Sequence, residues 1–216
     1  SAVIRVVAVS GYKNSGKSTL CRALLAELRK LDIRTGYIKR TSEKALHSRA
    51  ATDTGAVVNM GFDTVLWGED GISLESKEKD VSPQHIASRY FPDSELLILE
   101  GGKELPLPKI WVRSPGEDIP DCPGVFIVYD RFSDAGDGKR LFCAGDEALI
   151  AQRLAALVRG RSYRSSRVYI GDRPLPMKDF IADFIRGSVL GMLASLKGGA
   201  DPSAPVRVYL DGAGKK

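Results

Sequence analysis

The stretch VVAVSGYKNSGKSTL, Val6 to Leu20, runs a β-branched apolar segment straight into a turn of glycine, lysine and hydroxyl residues. It fits G-x-x-x-x-G-K-[ST] through Gly11, Tyr12, Lys13, Asn14, Ser15, Gly16, Lys17 and Ser18. It also sits between a strand pattern and an amphipathic helix pattern, the placement that a phosphate-binding turn requires. A plain strand-turn-helix corner has no need of glycine at both ends. With glycine at 11 and 16 the backbone can curl until amides from Asn14 to Thr19 converge on one anion, and the helix dipole adds positive potential there. Lys17 is expected to reach the β- and γ-phosphates. Ser18 would offer its hydroxyl to magnesium, which prefers hard oxygen ligands and keeps several waters. The expected nucleotide-binding set is Gly11, Lys13, Asn14, Ser15, Gly16, Lys17, Ser18 and Thr19.

Outward from this turn, short apolar runs at Val3–Val9, Gly36–Ile38, Thr64–Trp67, Gly71–Leu74, Leu96–Leu99, Ile110–Val112 and Val125–Tyr129 read as strands. Several lack polar alternation, as strands covered on both faces do. Helical patterns lie between them at Lys17–Lys30, Thr54–Met60, Pro83–Tyr90 and Asp146–Val158. The alternation predicts an α/β fold, a mostly parallel sheet with helices on both faces. After the basic cluster RGRSYRSSR, Arg159 to Arg167, the pattern becomes strand (Arg167–Ile170), helix (about Met177 to Lys197) and strand (Val206–Leu210). The division expected is a nucleotide-binding domain over 1–160 and a small β-α-β extension over 161–216.

Composition excludes several classes. No run of about eighteen apolar residues is present to span a bilayer, and the start SAVIRVV lacks the sections of a secretory signal. Cytoplasm is therefore the expected compartment. Cys21, Cys122 and Cys143 are odd in number and have no short paired spacing, which argues against a disulfide framework or a zinc site. The net charge of +5 is uneven: residues 1–50 carry +8, 51–100 carry −7, 101–150 carry −3 and the rest +7. That field suits an anionic ligand near the glycine turn. No nucleic-acid module surrounds the Arg159–Arg167 cluster, which reads as a solvated linker, and no nucleic-acid partner is expected.

A magnesium ion at Ser18 leaves room for carboxylates from elsewhere. Glu100 closes the run ELLILEGGK, placing an acid at the carboxyl end of a buried strand, where open α/β sheets bind ligands. Asp53 in ATDTG is the second candidate, although aspartate there also suits a helix cap. The expected metal set is Ser18, Asp53 and Glu100, and the expected catalytic set Lys17, Glu100 and Asp53. Asp130, ending GVFIVYD, lies where many nucleotide folds hold the base, but it precedes the turn-forming DAGDG, so base identity stays open.

Taken together these residues resemble the molybdopterin-guanine dinucleotide biosynthesis protein B family, over roughly residues 3–157. The matching residues are GYKNSGKSTL, Tyr37 to Lys39, Asp53 and Thr54, Gly61, and above all LILEGGKELPLPKIWVR with Glu100, Gly101, Lys103, Pro108, Lys109, Ile110 and Arg113. The chain departs from the family pattern at Arg40, Gly102, Ser48, Ala51 and Thr52. The C-terminal PLPMKDFIADFIRGSVLGMLASLKG is similar to an extension carried by some members. The resemblance implies a P-loop NTPase-like fold and a magnesium-dependent, GTP-binding, weakly hydrolysing homodimer, with ATP as the alternative nucleotide. Such a protein assists attachment of a guanine nucleotide to the molybdenum cofactor and works with molybdopterin and its guanylyltransferase. Two other readings stay open at the level of the residues. One is a P-loop small-molecule kinase or ATP-dependent ligase similar to dethiobiotin synthetase; the other is a non-hydrolysing nucleotide-binding adapter.

Overall fold

The computed structural model describes residues 4–118, 120–159, 166–171, 173–196 and 205–212. Six strands form one wholly parallel sheet: β1 (Arg5–Gly11), β2 (Thr35–Lys39), β5 (Leu96–Glu100), β6 (Lys109–Val112), β7 (Val125–Tyr129) and β8 (Leu141–Phe142), in the order β2-β5-β1-β6-β7-β8. Successive side chains point to opposite faces, so the apolar runs supply two cores. On one face Val7, Val9, Leu96, Ile98, Ile110 and Val112 meet Leu20, Leu24 and Leu28 of α1 (Lys17–Lys30) and Ile150, Leu154 and Val158 of α4 (Glu147–Arg159). On the other, Val6, Ala8, Leu97 and Leu99 meet Ile4 and Ala87 of the shorter α3 (Pro83–Tyr90). α3 starts where the sequence places a cap: Ser82 Oγ accepts from the His85 amide at 3.1 Å, with Pro83 in the first turn. The expected α/β fold is the one adopted.

β1 lies inside the sheet between β5 and β6, and the chain reverses order there: β5 and β2 lie to one side, β6, β7 and β8 to the other. Crevices outside the carboxyl ends of strands at such a switch point are where open α/β sheets take ligands. The Gly11–Ser18 turn stands at that end.

Two expectations change. The runs at 64–68 and 71–75 do not enter the sheet; β3 (Thr64–Gly68) and β4 (Gly71–Glu75) pair antiparallel as a separate ribbon after α2 (Asp53–Asn59). Only Glu69 and Asp70 connect them, and parallel partners need a crossover of a dozen residues or more. In the C-terminal extension the first strand shortens to β9 (Tyr169–Ile170), paired with β10 (Arg173–Pro174), and α5 runs Asp179–Ala194. Val206–Leu210 forms no strand: Val208, Tyr209 and Leu210 are exposed, and no neighbouring strand pairs with the segment. A strand-like pattern becomes a strand only where another edge satisfies its backbone. Arg207 instead ion-pairs with Asp93, and Arg167 donates to the Pro92 and Ser94 carbonyls at 2.9 and 3.0 Å. The expected linker falls largely on residues 160–165 and the expected helix end is Lys197; both are outside the described residues. Among the described residues no helix is long and apolar enough to cross a membrane.

Candidate functional site

The Gly11–Ser18 turn owes its shape to positions that only glycine fills. A Cβ on Gly11 would lie 2.5 Å from the Val112 carbonyl oxygen and 2.7 Å from Ser15 Oγ. Gly16, with φ of 100°, sits in left-handed space at the N-cap of α1, and Asn14 also has positive φ at 63°. No side chain caps α1. The Lys17, Ser18 and Thr19 amides find no acceptor among the described residues, leaving the donors and positive potential that helix starts offer to anions. The Lys17 ammonium folds back onto the Tyr12 carbonyl. Burial holds its pKa below the usual lysine range; Glu100 opposes that shift, and Lys103 and Lys39 reinforce it. Lys13 and Asn14 are exposed at the rim, while Ser15 is buried with an unpaired hydroxyl.

β5 brings Glu100 into the same corner. The residue is buried at 5% exposure, and its Oε1 accepts from Ser18 Oγ at 2.7 Å, joining the turn to the neighbouring strand. Oε2 accepts from the Tyr37 hydroxyl at 2.6 Å, and the Lys39 ammonium lies 3.9 Å from Oε1. Ser10 Oγ donates to the Gly101 carbonyl at 2.8 Å, fixing the strand exit beside it. Burial, then the bond to Glu100, pushes the Tyr37 phenol well above the usual tyrosine range, so it stays protonated as a donor.

Other cations line the turn. Lys103 lies 5.7 Å over the Tyr12 ring, which meets the buried Trp111 edge-on at 5.5 Å. Arg131 flanks Gly16, where an added Cβ would come within 3.2 Å of its guanidinium. Lys109 is fully buried and donates to the Leu105, Leu107 and Pro123 carbonyls, holding the loop that carries Lys103.

Of the residues expected to act together, Lys17, Ser18 and Glu100 share this corner. Asp53 stands exposed in the first turn of α2, behind the Thr52 cap, and makes no hydrogen bond or ion pair with Ser18 or Glu100. Among the described residues no three acidic, histidine or cysteine side chains cluster as a metal cage. Asp130 is committed within the protein: Oδ2 accepts from Arg113 at 3.2 Å and Oδ1 from the Phe132 amide at 3.0 Å. Tyr37, Lys39 and Lys103 match the family pattern but the sequence assigns them no role, and Arg131 has no signal beyond its place after a strand end; which strands adjoin is a property of the sheet order.

The sequence profile described as molybdopterin guanine dinucleotide synthesis protein B (MobB) matches residues 6–121, more than half of the 216-residue chain. The chain belongs to the MobB family. That family takes part in molybdopterin guanine dinucleotide synthesis, and its profile spans β1, the turn, Glu100 and Lys109. A Methanocaldococcus jannaschii protein provisionally described as a molybdopterin-guanine dinucleotide biosynthesis adapter is 22% identical over 235 residues, covering 96% of this chain and 98% of its own. A Haemophilus influenzae molybdopterin-guanine dinucleotide biosynthesis adapter protein is 30% identical over 111 residues, 50% of this chain and 62% of that one. Among solved structures, a MobB homologue from Bacillus stearothermophilus superposes with a TM-score of 0.53 at 23% identity, covering 72% of this chain and 99% of its own. Bacillus subtilis MobB superposes at 0.55 with 21% identity, covering 73% and 100%. At these identities the two structures speak for the fold alone.

Proposed function

We propose that this chain is a magnesium-dependent GTP-binding protein with weak GTPase activity that assists guanine dinucleotide attachment in molybdenum cofactor biosynthesis. The observation that carries the reading is the 2.7 Å bond from Ser18 to Glu100 beside the uncapped start of α1. It sets a hydroxyl and a carboxylate, both hard oxygen donors suited to magnesium, next to free amides and a lysine. In this reading the backbone from Asn14 to Thr19 and the Lys17 ammonium hold the phosphates, and Ser18 and Glu100 hold the metal. Asp53, free of hydrogen bonds on α2, is the second acid. Held by Ser18 and Glu100, magnesium would supply positive charge against that developing on the phosphates. Lys17, Lys39, Lys103 and Arg131 would add to that neutralisation, since catalysis of this class is mostly positioning and electrostatics. The reading places the protein in the cytoplasm as a homodimer working with molybdopterin and its guanylyltransferase. The β3–β4 ribbon, with apolar residues exposed on both faces, gives a second copy an open surface.

One observation favours a slower, adapter-like variant of this role. Ser18 and Tyr37 each take one acceptor site on the two Glu100 oxygens, so the lone pairs that remain serve the metal rather than an attacking water.

Equilibrium binding of GTP and ATP, each with and without magnesium, tests the assignment. Lys17→Ala is expected to remove binding of both nucleotides. Unchanged GTP affinity in that variant rejects the phosphate site, and a firm preference for ATP rejects the guanine assignment.

A further inference from the structure

The Glu100 carboxylate is held from two sides by hydroxyls of different elements. Ser18 of α1 donates to Oε1 at 2.7 Å and Tyr37 of β2 donates to Oε2 at 2.6 Å. An ionised carboxylate only accepts, so both hydroxyls point their protons at it. We propose that Tyr37 is a positioning residue for this corner: its phenol sets the plane of the Glu100 carboxylate so that Oε1 faces Ser18 and the phosphate turn. The proposal rests on the nucleotide reading above, because it gives that orientation its use.

The strand register makes the arrangement specific. In the parallel β2–β5 pair, Tyr37 stands opposite Ile98 and Lys39 opposite Glu100. The phenol therefore reaches diagonally, two residues along the neighbouring strand, a span that aromatic side chains cover and shorter ones do not. Lys39 is the direct neighbour and lies 3.9 Å from Oε1, beyond hydrogen-bond range. A buried carboxylate needs donors on both oxygens. With the phenol in place, Oε2 is satisfied away from Lys39 and Oε1 stays on Ser18. Without it, the unsatisfied carboxylate has a nearby ammonium to turn toward, and the turn takes Oε1 off Ser18. The Ser18 hydroxyl then loses the acceptor that aims its lone pairs outward. Partners that orient metal ligands in this way matter in general: their loss typically lowers metal affinity about 10- to 100-fold.

Tyr37→Phe removes the hydroxyl and keeps the ring, which is partly exposed on the edge strand of the sheet. GTP affinity is to be measured in EDTA and in magnesium for the unaltered protein, Tyr37→Phe and Glu100→Gln. The carboxyl-carbon NMR signal of Glu100 is to be followed in the metal-free, nucleotide-free protein. The expected result for Tyr37→Phe is EDTA affinity within about twofold of the unaltered protein, a magnesium-dependent gain smaller by about tenfold, and a displaced Glu100 signal. A full magnesium gain in Tyr37→Phe alongside its loss in Glu100→Gln overturns the positioning role and leaves the nucleotide reading standing. Equal weakening with and without magnesium makes Tyr37 a packing residue and also overturns it. An unaltered protein with no magnesium-dependent gain sinks both readings.

Discussion

β5 and β3 are both five-residue strands with an apolar middle, Leu96-Leu-Ile-Leu-Glu100 against Thr64-Val-Leu-Trp-Gly68, and they end in opposite environments. Every residue of β5 is buried, between β1 and β2 and under helices on both faces. Among the described residues β3 pairs only with β4, and Trp67 is 84% exposed. The difference lies in connection length rather than in apolarity. Helical crossovers let β5 join the parallel sheet, whereas a two-residue turn commits β3 to a ribbon with its neighbour. The first environment can hold a charged side chain in one place, as it does Glu100. The second leaves apolar surface for something else to cover.

The largest effect expected from breaking this contrast is in β5. Ile98→Ala should cost about 2–5 kcal/mol, the range for truncating a fully buried aliphatic side chain, read from the urea midpoint. A loss under about 1 kcal/mol would mean that β5 is not in the core. A smaller effect is expected from Cys21, packed in the same core layer, whose thiol is pushed up to about 12, first by burial and then by Glu100. Its folded pKa exceeds the unfolded value of 9.0, so its contribution is complete below about pH 9 and is lost as pH rises toward 12. Cys21→Ala should therefore show a flatter decline of stability across that window than the unaltered protein, and parallel declines would contradict the assignment. The smallest effect belongs to the ribbon: Leu66→Ser should change stability by no more than about 0.5 kcal/mol, while weakening any self-association seen by sedimentation. The two tryptophans sharpen the comparison. Trp67→Phe should leave blue-shifted emission from the buried Trp111 that acrylamide quenches poorly; strong residual quenching would place Trp111 at the surface.

The same contrast explains what was legible in advance. The turn was readable because Gly11, Gly16, Lys17 and Ser18 fall within one short stretch, and left-handed backbone such as that of Gly16 favours glycine. Glu100 was readable because an acid ending a fully apolar run marks a strand terminus. Asp53 looked equivalent by composition; it stands exposed in the first turn of α2, and no bond joins it to Ser18 or Glu100. Val206–Leu210 misled in the other direction, since its β-branched pattern is not matched by an available edge.

From its residues alone the chain dictated the alternation of strands and helices and the glycine turn, because each depends on contacts only a few positions apart, and its motifs marked the family to which it belongs. Tertiary structure alone decided that β2 lies beside β5, that Tyr37 and Ser18 grip opposite oxygens of Glu100, and that β3 and β4 stand clear of the sheet. Those outcomes depend on strand order and register, which join residues 63 and 82 positions apart and have no local signature.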